Sequence, residues 1–180
     1  YAIEEPSYKQ IEQVYLNANV KIVKLKLLGD GIDSLALRRC KADVLHISPY
    51  RSYPSGVTAS ASKRHEYIRW ANKNSGYIVE DDFESEFSVS KKPEETVFSL
   101  SSKENVIYMN TFSKTISPSF RVGYMVLPKS LLAKFERKLG FYSCTVSTYI
   151  QYVLADLILK GHFERHINRV RRKKRKELQS

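Results

Sequence analysis

Val106-Ile107-Tyr108-Met109-Asn110-Thr111-Phe112-Ser113-Lys114, continuing through Arg121-Val122-Gly123, sets out a short apolar run and the polar loop that leaves it. Four apolar residues bounded by polar ones are the pattern of a strand buried in a parallel sheet. A lysine just past the carboxyl end of such a strand, flanked by hydroxyls and followed by an arginine, suits a phosphorylated aldehyde. The amine forms a Schiff base with the carbonyl, while Thr111, Ser113 and Arg121 bind the phosphate. Pyridoxal phosphate (PLP) needs this set, together with a carboxylate beside its ring nitrogen.

The sequence contains such a carboxylate. Tyr77-Ile78-Val79-Glu80 is a second buried-strand pattern and runs directly into Asp81-Asp82. Ligands of open α/β sheets bind at the carboxyl ends of strands, so Asp81 and Lys114 are expected to approach one site from neighbouring strands. Glu80 and Asp82 read as solvated neighbours of Asp81.

The remainder of the chain alternates strand and helix, the signature of an α/β layer architecture. Strands are expected at 1–4, 20–28, 44–47, 77–80, 106–109 and 121–127. The last follows its predecessor after a loop too short for a parallel crossover, which predicts an antiparallel strand. Helices are expected at about 8–17, capped by Ser7, with Ile11, Val14 and Tyr15 inward. Others are expected from Asp33 or Ser34 to Arg39, and from Ser60 or Ser62 to about Asn74, ended by Gly76. Three more cover about 129–138, 147–159 and 162–178. Residues 84–103 are polar and predict little beyond a turn. The expected architecture is a three-layer α/β fold, a mostly parallel sheet with helices on both faces. His46 lies in a strand and reads as a hydrogen-bonded core residue.

With 180 residues, 42% of them hydrophobic, the chain can bury the core of one domain and is not wholly disordered. No apolar run is long enough to cross a membrane and no secretory segment opens the chain. Cys40 and Cys144 are far apart and make no metal or redox spacing, which points to a reducing cytoplasm. His162 and His166 are four apart, but the intervening Phe163-Glu164-Arg165 fits no zinc-protease motif, so no metal site is expected. Residues 161–180 hold eight Lys/Arg against two Asp/Glu, more than half of the net charge of +11. The run Arg171-Arg172-Lys173-Lys174-Arg175-Lys176 suits phosphates, or a solvated helix end whose dipole favours cations.

Four segments resemble one family in order along the chain. They are Glu4-Glu5-Pro6-Ser7-Tyr8, Pro54-Ser55-Gly56-Val57, Ile78 through Phe87 (IVEDDFESEF) and Thr111 through Tyr124. Together they resemble fold type I PLP enzymes, and within them the MocR-type regulators of the GntR superfamily. The acidic EDDFESEF stretch separates those regulators from ordinary aminotransferases. The resemblance implies that Lys114 forms the Schiff base, Asp81 pairs with the pyridinium nitrogen and Tyr8 stacks on the ring face. Thr111, Ser113 and Arg121 would hold the phosphate, arginine being suited to bidentate contacts. Read without the resemblance, Tyr8 is equally a core aromatic of the first helix, and Ser113 equally serves its own loop backbone.

The resemblance also implies a cytoplasmic homodimer that senses PLP and a small amino compound, with DNA bound through a winged-helix domain outside this chain. Tyr1-Ala2-Ile3 already looks like the middle of a strand. Residues 1–180 are therefore expected to be a single domain, the PLP-binding large-domain core of a longer protein, without the DNA-binding and C-terminal small domains. Phe83 stands where the family pattern has a tyrosine whose hydroxyl reaches the cofactor's phenolic oxygen. Gln10 stands where some members carry an arginine for a substrate carboxylate, so a GABA-like effector is not implied. Two alternatives accompany the regulator reading. One is an authentic PLP-dependent aminotransferase with Lys114 as proton shuttle; the other is a fragment that keeps the fold and binds no cofactor.

Overall fold

Period-two apolar runs and amphipathic segments assemble into one seven-stranded sheet with helices, seen in a computed structural model that describes residues 1–87, 95–102 and 104–177. The strands are β1 (Ala2–Glu5), β2 (Val23–Leu28), β3 (Gly31–Ile32), β4 (Val44–Ile47), β5 (Tyr77–Asp81), β6 (Val106–Thr111) and β7 (Gly123–Val126). The α-helices are α1 (Lys9–Asn17), α2 (Ser34–Arg39), α3 (Ala61–Asn74), α4 (Val97–Leu100), α5 (Phe112–Thr115), α6 (Lys129–Leu139), α7 (Thr148–Leu159) and α8 (His162–Glu177). Two 3-10 turns, Ser85–Phe87 and Pro118–Phe120, complete the described elements. None of the described helices is long and apolar enough to cross a membrane.

The strand order is β3-β2-β1-β4-β5-β6-β7. β1 pairs in parallel with β2 on one side and β4 on the other, and β4–β5 and β5–β6 are parallel too. The chain therefore leaves β1 first toward one edge and later toward the other. This reversal lies beside β1 and β4, and in open sheets it opens a crevice at the strands' carboxyl ends. β7 lies at an edge and its four residues are exposed.

The described residues form two compact units. One comprises 1–82, 95–102, 104–109 and 125–130, the other 83–87, 110–124 and 131–177. The first contains the main core, where Leu45, Ile47, Tyr67, Trp70, Ile78 and Val106 pack together. All four residues of β4 are buried, His46 among them, as suits a strand covered on both faces. α3 begins where Ser60 accepts from the Lys63 amide at 3.2 Å and turns Tyr67, Ile68 and Ala71 inward, as their spacing requires.

Several expected details differ. The 20–28 strand begins only at Val23, and its Gly29-Asp30 turn leads into the antiparallel β3. Gly31 is obligatory there: its φ is +130°, and a Cβ would lie 2.5 Å from both the Lys63 Cγ and the Tyr67 hydroxyl. Ser75, not Gly76, takes the left-handed turn after α3 with φ 52°. Gly76 is needed because a Cβ would come within 2.9 Å of the Asp43 carbonyl. α1 starts from Tyr8 without a side-chain cap and buries no residue, and Val14 is 64% exposed. Within 84–103, α4 and the Ser85–Phe87 turn form where only a turn was expected; residues 88–94 and 103 of that span lie outside the described residues.

In the second unit α7 and α8 pack together, with Leu154 and Ile167 buried and Phe163 edge-on to Phe112 at 5.7 Å. The basic run of α8 is not simply solvated. The Arg171 Nε donates to the Glu86 carbonyl, and the Lys174 ammonium lies 4.6 Å from the centre of the Phe87 ring. Two of its cations thus hold the 85–87 turn.

The Tyr67 hydroxyl accepts from the buried Ile32 amide at 2.9 Å and ties β3 to α3. Tyr67→Phe strands that amide and is expected to lower stability by about 1–3 kcal/mol, read as a lower urea midpoint at unchanged slope. An unchanged midpoint would mean that the amide finds another acceptor.

Candidate functional site

Strand periodicity sorts the three consecutive acids at the end of β5. Successive side chains of a strand point to opposite faces, so Glu80 and Asp82 share one face and Asp81 takes the other. Glu80 is 0% exposed and Asp82 1%, which corrects their reading as solvated neighbours. Glu80 accepts from the Val97 and Phe98 amides, each at 2.8 Å, and from the Tyr50 hydroxyl at 2.9 Å. It thereby satisfies the first amides of α4, whose own cap Thr96 accepts from Ser99. Asp82 accepts from the Tyr108 hydroxyl at 2.8 Å. Burial of Glu80 and the presence of α4 go together, because the first amides of α4 and the Tyr50 hydroxyl supply the donors that a buried carboxylate needs.

Asp81 remains accessible, with 28% of its side chain exposed. Its Oδ2 lies 3.6 Å from the His46 Nε2, and the His46 Nδ1 lies 2.6 Å from the Tyr15 hydroxyl. His46 is the hydrogen-bonded core residue its strand position suggests. Its link to Asp81 was not legible in sequence, because β4 and α1 are separated from β5 by tens of residues.

Two further segments leave carboxyl ends of strands beside the reversal in strand order. Tyr8 follows β1, is 45% exposed and meets Tyr53 edge-on at 5.6 Å. Tyr8 is therefore not a core aromatic of α1. Tyr53, in the loop after β4, was not singled out by sequence, although the adjoining Pro54-Ser55-Gly56 marked that loop. With Glu5, Lys9, Gln10, Glu12 and Lys24 they line a concavity of about 440 Å³. Ser52 in this loop is buried: it is 1% exposed and donates at 2.6 Å to Glu4, which is itself 5% exposed.

The loop carrying Lys114 lies in the second unit. Thr111 ends β6 and caps α5: its hydroxyl accepts from the Ser113 amide at 3.1 Å and donates to the Val122 carbonyl at 3.0 Å. The Phe112 amide donates to the same carbonyl at 2.8 Å. These bonds close the loop, so Thr111 shapes it, and Ser113 contributes its amide rather than its hydroxyl to that closure. Lys114, 51% exposed, pairs with Glu84 at 3.1 Å and lies 4.7 Å from the centre of the Phe83 ring. Glu84 belongs to the EDDFESEF stretch, but nothing in the sequence marked it as a lysine partner. Arg121 is exposed, takes the left-handed conformation at φ 45°, and has no hydrogen-bond or ion-pair partner among the described residues. It was expected to open a strand; instead it ends the Pro118–Phe120 turn, and β7 starts at Gly123.

Residues 2–179 match the family described as aminotransferase class I and II, and the chain belongs to that family. Among curated proteins it is similar to YdeL of Bacillus subtilis (strain 168), described as an uncharacterized HTH-type transcriptional regulator. The two are 32% identical over 97% of this chain and 38% of the relative. It is similar also to MocR of Rhizobium meliloti, described as a probable rhizopine catabolism regulatory protein: 32% identical over 94% of this chain and 34% of the relative. The chain thus spans little more than a third of these regulators. The resemblance to MocR-type regulators drawn from its motifs stands. Among solved structures, Pyrococcus horikoshii kynurenine aminotransferase, in complex with PMP, superposes with a TM-score of 0.86 at 26% identity, over 95% of this chain and 45% of that one. LysN of Thermus thermophilus, an alpha-aminoadipate aminotransferase complexed with N-(5'-phosphopyridoxyl)-L-leucine, gives 0.81 at 25% identity over 95% and 46%. These neighbours bear out the mostly parallel α/β fold.

Burial raises the pKa of Glu4 above the ordinary carboxylate value of 4.5, against the lowering effect of its bonds from Ser52 and the Ser48 backbone. A carboxyl whose folded pKa is raised binds more protons folded than unfolded. Its stabilising contribution is complete below the unfolded pKa and is lost as pH rises through the folded one. Glu4→Gln, neutral at every pH, is expected to flatten this fall: its urea midpoint should gain on wild type as pH rises from about 4.5 toward neutrality. Parallel profiles would show that Glu4 titrates as an ordinary carboxyl.

Proposed function

We propose that this chain is the PLP-binding, effector-sensing and dimerisation part of a MocR-type transcription regulator, with residues 1–180 forming its large-domain core. DNA would be contacted through a domain outside this chain, and a small amino compound would be the sensed effector. The observation that carries the reading is the capped loop from Thr111 to Arg121, which presents an accessible lysine just after the carboxyl end of β6 in a chain whose relatives are described as HTH-type regulators. The donor set suits the cofactor. Lys114 offers a half-exposed amine, and Arg121 offers a guanidinium with no partner among the described residues. Asp81 offers an accessible carboxylate at a strand end.

PLP supplies an aldehyde that bonds a lysine amine and a ring that draws electrons from the bonded carbon. The chain's own residues would do the rest. Lys114 is the anchoring amine, Asp81 holds a proton on the ring nitrogen and Tyr8 covers the ring face. Arg121 and Ser113 bind the phosphate within the loop that Thr111 closes. The likeness to aminotransferases supports the second reading, an authentic aminotransferase, through the fold.

Lys114→Ala in the full-length protein is expected to abolish the visible band that PLP acquires on bonding a lysine, and a band that survives would remove Lys114 from this role. Multiple turnovers of amino-group transfer to a keto acid would favour the enzyme over the regulator. Before it bonds the aldehyde, the Lys114 amine has to leave Glu84. An exposed pair of this kind is worth at most about 1 kcal/mol, so Glu84→Gln is expected to speed the appearance of the band by up to about fivefold in stopped-flow traces.

A further inference from the structure

The His46 imidazole bridges two polar groups at a buried position. His46 is 7% exposed, and Tyr15, His46 and Asp81 all belong to the first unit. In the parallel register His46 lies beside Val79, and Asp81 is two residues further along β5 on the same face. The ring therefore looks along the sheet toward the Asp81 carboxylate. Nδ1 is taken by the Tyr15 hydroxyl at 2.6 Å. Nε2 has no hydrogen-bond partner among the described residues, and the acceptor it faces is the Asp81 Oδ2 at 3.6 Å.

The two neutral tautomers differ sharply in this setting. With the proton on Nδ1, the ring would donate to Tyr15 and turn the bare lone pair of Nε2 toward a carboxylate. Two electron-rich atoms would then face each other where water screens little. With the proton on Nε2, a donor faces the carboxylate and Nδ1 accepts from Tyr15. The tyrosine is suited to donate: burial first, then the neighbouring Tyr1 and Asp81, push its pKa up to about 12, so it keeps its proton. At 3.6 Å the His46–Asp81 contact is electrostatic, just beyond hydrogen-bond distance.

We propose that His46, with its proton on Nε2 and its ring held by Tyr15, is a positioning residue for Asp81, drawing one carboxylate oxygen toward the imidazole and leaving the other for a protonated ring nitrogen. The inference rests on the cofactor reading only for what Asp81 finally meets. A donor on the far oxygen lowers the carboxylate's affinity for the shared proton and so keeps that proton on the ligand. It also fixes the carboxylate plane, as outer-shell partners fix the ligands of metal sites.

Long-range proton–nitrogen spectra of the full-length protein test this first without cofactor, with the His46 signals identified by their loss in His46→Gln. The expected result is a protonated Nε2 and an Nδ1 that moves toward the bare imine position in Tyr15→Phe; an Nδ1-protonated ring overturns the proposal. The Asp81 Cγ resonance should move in His46→Leu, which fills the space without a donor, and stay near wild type in His46→Gln, which keeps an N–H. With PLP labelled at its ring nitrogen, His46→Leu should shift that signal toward unprotonated pyridine while His46→Gln preserves it. Identical ring-nitrogen signals in wild type and both variants overturn the positioning role. A wild-type protein that gains no visible band with PLP overturns the cofactor reading instead, and the cofactor-free spectra still decide the His46–Asp81 link.

Discussion

The buried carboxylate of Glu80 is the interaction on which the first unit depends. Three donors converge on it from two segments distant in sequence: the Tyr50 hydroxyl from the loop after β4, and the Val97 and Phe98 amides at the start of α4. Burial raises its pKa and the three donors oppose that rise. Losing any one of them would leave a desolvated acceptor short of partners, at a cost that grows in a low dielectric. The carboxylate therefore holds the β4 loop and α4 against the same face of β5.

That anchoring sets the phase of β5. Because side chains alternate along a strand, burying Glu80 and Asp82 on one face commits Asp81 to the other, within reach of His46. A slip of one residue would bury Asp81 and expose its neighbours. The position of Asp81 is thus decided by groups that never touch it. The strand order contributes as well: the reversal around β1 puts the carboxyl ends of β1 and β4 next to each other, which is why Tyr8 and Tyr53 meet.

The motifs that were legible in sequence share a physical origin: they are local. Apolar runs marked β4, β5 and β6 to within two residues, and Ser60 and Asp33 marked the starts of α3 and α2, because capping acts over two or three residues. Lys114, Asp81, Arg121 and Tyr8 stood out from spacing and from the family pattern. What was missed required a partner from elsewhere in the chain. α4 has only four residues and little helical signal of its own, and Glu80 satisfies the amides at its start. Glu84 beside Lys114, Tyr53 beside Tyr8, and Tyr15 behind His46 are pairings set by folding. The contacts of the basic run of α8 were not legible because its partners, the Glu86 carbonyl and the Phe87 ring, lie some eighty residues earlier.

By itself the sequence determined the α/β alternation, the family and the residue types a phosphorylated aldehyde would need, since these follow from periodicity, capping and motif order. Only the tertiary structure decided which of the three acids on β5 stays accessible, what holds the His46 ring, and that Thr111 closes the Lys114 loop. The reason is physical: burial and hydrogen-bond satisfaction are properties of surroundings, and for Glu80, Asp81 and His46 those surroundings come from segments remote in the chain.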